Sequence, residues 1–365
     1  MTQEQILLRK SLRNGKTFTP FNEDSDISVN QKEVLTAPLW SNSQSSLVTM
    51  FTSSAQSANQ KRYYYEVFNS QSSVQGAEAQ FSVAYGDMAG SGSSTGSSGV
   101  NLYDYPTKAV YAQYKQLLLQ PGDTIFTFAN GETSEYVYIV NVNRARFKDR
   151  MDTKNWQLSI GMLNSGGQIA ITGSQNVITL IDDSTAATTE LAQQGGRVYN
   201  IRSGSITNGI HTADTTPWGL FYPDHGVIVL NGKALDASAS FNTGRTPATA
   251  SGANNALRIF TAISGAAAYL TASLGFQGRT SEVLSSTYYF VRLFNGEYNY
   301  STNPSFVTSS AGIVKFDSMV TNPVVYPTMI GLYNDSQQLL AVAKLSKPIA
   351  KSFDTEYVIK VKLDY

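Results

Sequence analysis

The fold class is decided by the stretch Tyr136-Val137-Tyr138-Ile139-Val140-Asn141-Val142, in which nearly every residue is aromatic or β-branched. Such residues are enriched in β-strands. Stretches of the same character follow along the chain, among them Trp156 to Met162 and Val227 to Leu230, and turn residues separate them. Short strands at regular intervals are typical of sandwiches and barrels. The sequence therefore predicts a mainly β fold, with β-sandwich or barrel-like sheets and a few accessory helices.

Two segments near the C-terminal end also predict strands. Asn295-Gly296 lies between Tyr288 to Phe294 and Tyr298 to Tyr300, and this dipeptide predicts a β-hairpin because both turn positions favour positive φ. The final segment alternates, with Ile359, Val361, Leu363 and Tyr365 on one face and Lys360, Lys362 and Asp364 on the other. This alternation predicts a half-buried strand.

Helices are predicted at Pro106 to Leu119, at Ala186 to Gln194 and at Asn254 to Ile263. The first has apolar residues at helical spacing, with Pro106 at its start and Pro121-Gly122 after its end.

The chain is predicted to have three parts: an N-terminal arm or docking segment at residues 1–50, a β-rich domain with one helix (about 106–119) at residues 51–195, and a β-rich domain with the C-terminal strand at residues 196–365. The second boundary falls at Gly195-Gly196. The arm contains a short amphipathic segment that includes Ile6, Leu7 and Leu12. So short a helix is marginal alone in water and needs a partner surface, on another protein or on its own domain.

Charge and composition exclude several classes of protein. Only 15% of the 365 residues are charged, and 27 basic residues balance 27 acidic ones, so no net field attracts nucleic acid or an anionic membrane. The absence of cysteine excludes disulfides and thiolate chemistry. No apolar stretch reaches the length of a spanning helix, and the first sixteen residues lack the apolar core of a signal peptide.

Catalytic and phosphate-binding motifs are incomplete. Gly92 to Gly96 matches the serine nucleophile pattern, but glycine and serine flank it where the fold of that motif needs a strand and a helix. Gly15-Lys16-Thr17 lacks the first glycine of a phosphate loop. Asp182-Asp183 offers paired carboxylates, but adjacent strand residues point to opposite faces. No catalytic residue is predicted.

Metal, cofactor and nucleic-acid sites are also not predicted. His211 and Asp214 lie near Asp224-His225, but Pro223 and Gly226 make the latter pair turn residues. The basic residues between Arg144 and Lys154 are interleaved with Asp149 and Asp152, which favours a salt-bridged surface turn or a subunit contact over nucleic-acid binding.

Tyrosine is abundant, with 21 tyrosines against 3 tryptophans. Its ring buries a large area at low entropic cost while the hydroxyl keeps a polar partner, which suits protein interfaces. Core packing and sugar stacking use the same rings, so these alternatives stay open.

Several long segments resemble virion structural proteins of large contractile-tailed phages: Trp218 to Leu230, Ser285 to Arg292 and Glu297 to Pro304. The ending, in Ile330 to Asp335, Leu340 to Pro348 and Ile359 to Tyr365, is similar to the C-terminal pattern of tail and baseplate-associated proteins. The resemblance covers the second half of the chain and the helix near Tyr105 to Leu118. It implies a non-enzymatic virion component that is made in the host cytoplasm.

The sequence thus predicts a structural subunit of a contractile phage tail, in or near the baseplate, that forms homo-oligomers and contacts other virion proteins. No cofactor, membrane, nucleic acid or small-molecule substrate is expected. The alternatives are a tail-associated receptor- or glycan-binding module and, third, a polysaccharide-degrading tail enzyme. The predicted interface residues are Ile6, Leu7, Leu8, Leu12, Tyr103, Tyr105, Tyr111, Ile359, Val361 and Tyr365.

Overall fold

Strands dominate the secondary structure, with 44% of the described residues in strands and 19% in helices, which confirms the prediction of a mainly β fold. The computed structural model describes residues 21–41, 45–52, 64–92, 106–164, 168, 170, 176–185, 191–193, 195–206, 210–211, 215–245, 254–269, 275–299, 303–308 and 313–364. Within these residues, none of the helices has the length and apolar character needed to cross a lipid bilayer.

The described elements follow one another in the order α1 (Glu23–Asp26), β1 (Ile27–Pro38), β2 (Ser46–Leu47), β3 (Phe51–Thr52), β4 (Tyr64–Phe68), β5 (Ala79–Asp87), α2 (Pro106–Leu118), β6 (Phe126–Thr127), β7 (Thr133–Ser134), β8 (Tyr136–Val142), β9 (Arg150–Gly161), β10 (Val177–Asp182), β11 (Leu191–Gln193), β12 (Gly196–Ser205), β13 (Ile210–His211), β14 (Gly219–Tyr222), β15 (Val227–Asn231), α3 (Gly232–Ala239), α4 (Asn255–Tyr269), β16 (Phe276–Leu293), α5 (Asp317–Thr321), β17 (Met329–Tyr333), β18 (Leu339–Lys344) and β19 (Tyr357–Asp364).

The chain forms two compact units, and their limits differ from the predicted domains. The central unit is Val34–Glu282, and the terminal unit joins Met1–Glu33 to Val283–Tyr365. Both limits fall inside strands, so β1 and β16 each contribute residues to both units. The predicted boundary at residue 195 lies inside the central unit because β11 pairs with β12 around it, with Gln193 opposite Gly196.

The central unit is built on one antiparallel sheet. Its strands are hydrogen-bonded in the order β16-β9-β10-β12-β14-β15-β8-β5-β4-β3. In the middle of this order, Val229 lies opposite Leu220 on one side and Ile139 on the other. The stretch that predicted the fold is therefore an inner strand, β8.

This sheet curls until strands far apart in the order meet. Phe81 of β5 and Phe276 of β16 are in edge-to-face contact with ring centroids 5.3 Å apart. Trp156 of β9 packs on Phe221 of β14, with centroids 4.7 Å apart. Of the two predicted arrangements, a β-sandwich or barrel-like sheets, these contacts fit the barrel-like one.

Alternate residues of the inner strands enter different hydrophobic clusters. In β8, Tyr138 and Val140 belong to the larger cluster, whereas Val137 and Ile139 belong to the smaller one. Because strand residues alternate between faces, the two clusters cover opposite faces of the sheet. Helices α3 and α4 contribute to the larger cluster and α2 to the smaller one. Both faces of the inner strands are therefore buried.

Two of the three predicted helices are confirmed. Helix α2 begins at Pro106 and ends before Pro121-Gly122, and α4 extends the prediction from Ile263 to Tyr269. The helix predicted over Ala186 to Gln194 is wrong at Leu191–Gln193, which form strand β11. The adjacent glycine pair explains the difference, because Gly196 adopts φ +84° and turns the chain so that β11 pairs with β12.

In the terminal unit, β16 is flanked by β1 and β19. Strand β19 pairs with β16 from Ser286 to Leu293. The predicted alternation in β19 is confirmed, since Val361 is buried while Lys360 and Lys362 are exposed. Lys362 donates to Glu33 of β1 over 2.7 Å. The strands β17 and β18 form a separate two-stranded sheet.

The predicted hairpin around Asn295-Gly296 is corrected. A turn is present, with the Glu297 amide donating to the Phe294 carbonyl over 3.1 Å. Tyr298 and Asn299, however, form no strand, and the pairing edge of β16 is occupied by β19. The side chain of Asn299 is buried and contacts Lys351. Asn299 is therefore a buried polar residue and does not belong to the second strand that the hairpin prediction required.

Candidate functional site

The terminal unit buries few apolar side chains. Among its described residues, four hydrophobic side chains are buried, namely Leu293, Val307, Leu332 and Val361, and fourteen large ones are exposed. No described residue of this unit belongs to either hydrophobic cluster. Contiguous exposed apolar surface commonly marks an interaction site, so this unit is a candidate for carrying one.

The most exposed apolar residues of the terminal unit include five on the hairpin of β17 and β18, which we call the apolar hairpin: Met329, Tyr333, Leu339, Leu340 and Val342. Their exposed fractions run from 45% for Tyr333 to 67% for Leu340. Burying the exposed part of each of these side chains requires a cover from outside the described residues, and removing apolar surface from water is favourable.

The strand register places four of these side chains on one face. Met329 lies opposite Lys344, Gly331 opposite Val342, and Tyr333 opposite Leu339. Residues directly opposite in an antiparallel pair share a face. Leu340 is the extra residue where the register shifts. On the other face, Ile330, Leu332, Ala341 and Ala343 are buried or half-buried.

Local contacts fix the shape of this hairpin. Gly331 leaves room for its neighbours, because a Cβ there would lie 2.8 Å from the Tyr333 ring and 3.1 Å from Leu339. The turn is closed by Asn334, whose amide donates to the Gln338 carbonyl over 3.0 Å and whose Oδ1 accepts from the Gln338 amide over 2.8 Å. The apolar hairpin is therefore a preformed surface.

The predicted interface residues are only partly described. Ile6, Leu7, Leu8, Leu12, Tyr103, Tyr105 and Tyr365 lie outside the described residues. Tyr111 is 2% exposed, and its hydroxyl donates to the Ser134 carbonyl and accepts from the Phe126 amide. Its ring is thus part of the core of the central unit. Ile359 is half-buried and Val361 is buried in β19, on the face of the strand opposite the exposed lysines.

A polar groove of about 400 Å³ lies in the central unit, between α2 and the sheet. Its walls include Tyr114 of α2, Glu66 of β4 and Asn141 of β8, with Arg144 in a short 3-10 helix after β8 and His225 in the turn between β14 and β15. Burial raises the pKa of Tyr114, and a hydrogen bond with Asn141 opposes that rise. The groove thus brings two aromatic residues, Tyr114 and Phe81, next to amide and charged groups.

The two carboxylates considered for catalysis, Asp182 and Asp183, accept hydrogen bonds from main-chain amides. Asp182 accepts from the amides of Lys154 and Ser184, each over 2.9 Å. Asp183 accepts from the amide and the side chain of Asn200 over 3.0 and 2.9 Å. Both carboxylates therefore have structural partners.

The remaining motifs are structural or lie outside the described residues. Arg146 forms an ion pair with Glu78. The Asp224 carboxylate accepts from the Arg197 amide over 3.3 Å. The His211 side chain, Ser93 to Gly96, and Gly15 to Thr17 lie outside the described residues. In the part of the chain that the structure describes, no group of three or more His, Cys, Asp or Glu is placed to hold a metal ion.

A buried ion pair ties two segments of the central unit together. Asp87 is fully buried and accepts from Arg245 Nε over 2.8 Å. Arg245 also contacts Glu135 over 2.8 Å and lies over the ring of Tyr136 at 4.8 Å from its centroid. Burial lowers the pKa of Arg245, but hydrogen bonds to Asp87 and Glu135 outweigh it and raise the pKa. The guanidinium is therefore permanently charged.

Comparison with known protein families, with characterised proteins and with solved structures finds no match for this chain.

Sequence reasoning did not select the apolar hairpin as an interface. Its strand Leu339 to Ala343 is one of the densest apolar stretches of the chain, and that density reads equally well as a buried strand. The exposure of Leu340 and Val342 follows from the two-stranded sheet having no described layer over that face. The sequence did contain a signal for an exposed hairpin, because the five apolar residues Leu339 to Ala343 directly follow the polar turn Asn334 to Gln338.

Proposed function

We propose that the chain is a structural subunit of a contractile phage tail, in or near the baseplate, that assembles with copies of itself and with other virion proteins. The observation that supports this proposal is the apolar hairpin, a preformed exposed surface on a unit with few buried apolar residues. We name a contractile phage tail as the assembly because several sequence segments resemble tail and baseplate-associated proteins.

The occupant that best fits the apolar hairpin is a second copy of this chain. The face carries one charged residue, Lys344, so no pattern of charge selects a different partner. A two-fold related copy presents the same apolar residues to it. Burying a large apolar side chain contributes about 1.5–3 kcal/mol. The four side chains on this face are already about half buried, so each contributes about half of that range, and the eight from two copies together exceed the lower estimate of about 4 kcal/mol for the entropic cost of association.

Val342→Glu is expected to weaken self-association at least about tenfold, which corresponds to about 1.4 kcal/mol. The glutamate would bring an unpaired charge into the apolar contact. Sedimentation velocity over a concentration series measures the change. Val74→Glu is the matched control, because Val74 is 52% exposed in the central unit and Val342 is 55% exposed. A wild-type chain that stays monomeric at its highest soluble concentration contradicts the self-association.

Membership of a particle is tested separately. Mass spectrometry of gradient-purified particles of the phage that encodes this chain is expected to detect the chain in a fixed ratio to other tail proteins. Its absence from intact particles, while it is present in the infected cell, would overturn the proposed role.

The polar groove favours a second candidate function, that of a tail-associated glycan-binding module. Sugars bind through stacking on an aromatic ring together with hydrogen bonds from amides and charged groups, and the groove offers Tyr114 with Asn141, Glu66 and Arg144.

Tyr114→Ala is expected to reduce glycan binding by at least about tenfold, a loss of about 1.4 kcal/mol. A glycan array identifies the ligand with the wild-type chain, and calorimetry compares the variants. Tyr326→Ala serves as the control because this tyrosine is 62% exposed and belongs to the terminal unit. A wild-type chain that binds no glycan on the array eliminates this candidate.

A further inference from the structure

Lys351 is fully buried in the terminal unit, at 0% exposure. Lysine is almost never fully buried unless its ammonium is paired. Its Nζ donates to Oδ1 of Asn299 over 2.8 Å and to the main-chain carbonyl of Asn295 over 3.2 Å. An amine and a primary carboxamide are thus held in direct contact within the protein.

Both side chains are fixed by their surroundings. The main chain of Lys351 forms two hydrogen bonds with Val325, each of 2.8 Å. Asn299 is 6% exposed, and its Nδ2 donates to the Asn295 carbonyl over 2.5 Å. Holding two groups in one geometry converts their encounter into an intramolecular step, with effective concentrations far above those in solution.

The surroundings also favour a reactive amine. Burial lowers the pKa of Lys351, and the carboxylates of Glu297 and Glu356 oppose this without reversing it. A lower pKa increases the fraction of neutral amine, which is the nucleophilic form. Glu297 is two residues before Asn299, and its Oε2 is buried. A carboxylate next to the pair is suited to carry a proton between them.

We propose that Lys351 and Asn299 are joined by an intramolecular isopeptide bond. The lone pair of the neutral Nζ attacks Cγ of Asn299, and the new Nζ–Cγ bond forms. The Cγ–Nδ2 bond then breaks, and Nδ2 leaves as ammonia after receiving one proton from Nζ by way of the Glu297 carboxylate. Oδ1 stays as the carbonyl oxygen of the new amide. The step needs no oxidant, reductant or cofactor.

This bond connects residues 52 positions apart in the sequence. It joins the turn that follows β16 to the segment that precedes β19. Such a cross-link restricts the unfolded chain in the way a disulfide does. The chain has no cysteine for a disulfide, and the described part of its terminal unit buries few apolar side chains. An amide cross-link would add stability that a disulfide or a larger hydrophobic core would otherwise provide.

Peptide mapping of the full-length wild-type chain tests the bond. The cross-linked chain is lighter than its sequence by one ammonia, about 17 Da. Trypsin is expected to release one branched peptide in which Leu293 to Lys315 is joined to Leu345 to Lys360, because acylated Lys351 is not cleaved and Lys347 precedes proline. Recovery of both segments as separate, unmodified peptides, with cleavage after Lys351, overturns the proposal.

The mass alone is ambiguous, because a succinimide at any of the five Asn-Gly pairs of the chain, at Asn14, Asn130, Asn208, Asn231 and Asn295, also loses ammonia. Lys351→Arg separates the two, since it removes the isopeptide and leaves a succinimide unaffected. Lys347→Arg is the matched control, because it changes an exposed lysine four residues away, and it is expected to keep the branched peptide.

Glu297→Gln is expected to reduce the cross-linked fraction at least about tenfold if the carboxylate relays the proton. Full cross-linking in Glu297→Gln refutes that relay.

Discussion

Replacing Asp87 by Asn lowers the free energy of unfolding by about 3–5 kcal/mol, because it breaks a buried ion pair and leaves the charge of Arg245 without its buried partner. Asp87 is fully buried, and its Oδ2 lies 2.8 Å from Arg245 Nε. Its Oδ1 also accepts from the amides of Ala89 and Ser91 over 2.8 and 3.3 Å. The loss is measured by urea unfolding followed by tryptophan fluorescence. All three tryptophans lie in the central unit, so the signal reports on that unit.

Glu135→Gln is the matched control for this prediction. Glu135 pairs with the same Arg245 over the same distance of 2.8 Å, but its side chain is 53% exposed. Ion pairs in contact with water contribute at most about 1 kcal/mol. Equal losses for Asp87→Asn and Glu135→Gln would show that burial does not determine the strength of this cluster.

Trp156→Ala is expected to cost about 3–5 kcal/mol of stability, through lost apolar burial and the cavity that the ring leaves. Trp156 is fully buried, and its ring contacts Phe221 across the inside of the curled sheet. Urea unfolding followed by circular dichroism measures the change. Tyr64→Ala removes an aromatic ring that is 39% exposed in the same unit, and it should change stability by about 0.5 kcal/mol or less. A loss for Trp156→Ala as small as that of the control contradicts the enclosed interior.

The sequence was most informative where local chemistry and tertiary burial agree. The residues of β8 favour a strand at nearly every position, and the structure places them in the middle of a sheet buried on both faces. Helix α2 begins at Pro106, as its local signals indicate. In both cases neighbouring residues carry the information that fixes the element.

Prediction failed where a distant residue decides the local structure. Asn295-Gly296 favours a hairpin, but Asn299 contacts Lys351, 52 residues later in the chain, and β19 takes the pairing edge. Tyr111 reads as an interface tyrosine until its hydroxyl is seen to bond Ser134 and Phe126 in the core. The exposure of the apolar hairpin likewise depends on which layers cover it, and periodicity does not encode that.

The contact between Phe81 and Phe276 has a consequence for the newborn polypeptide. The ribosome delivers the N-terminal end first, and domains generally fold as units. The first partner of this pair emerges long before the second, so the enclosure stays open while almost two hundred further residues are made. During that interval the apolar side chains of β5 and β8 are exposed to water. We therefore expect heterologous expression to improve when synthesis is slowed or chaperones are supplied.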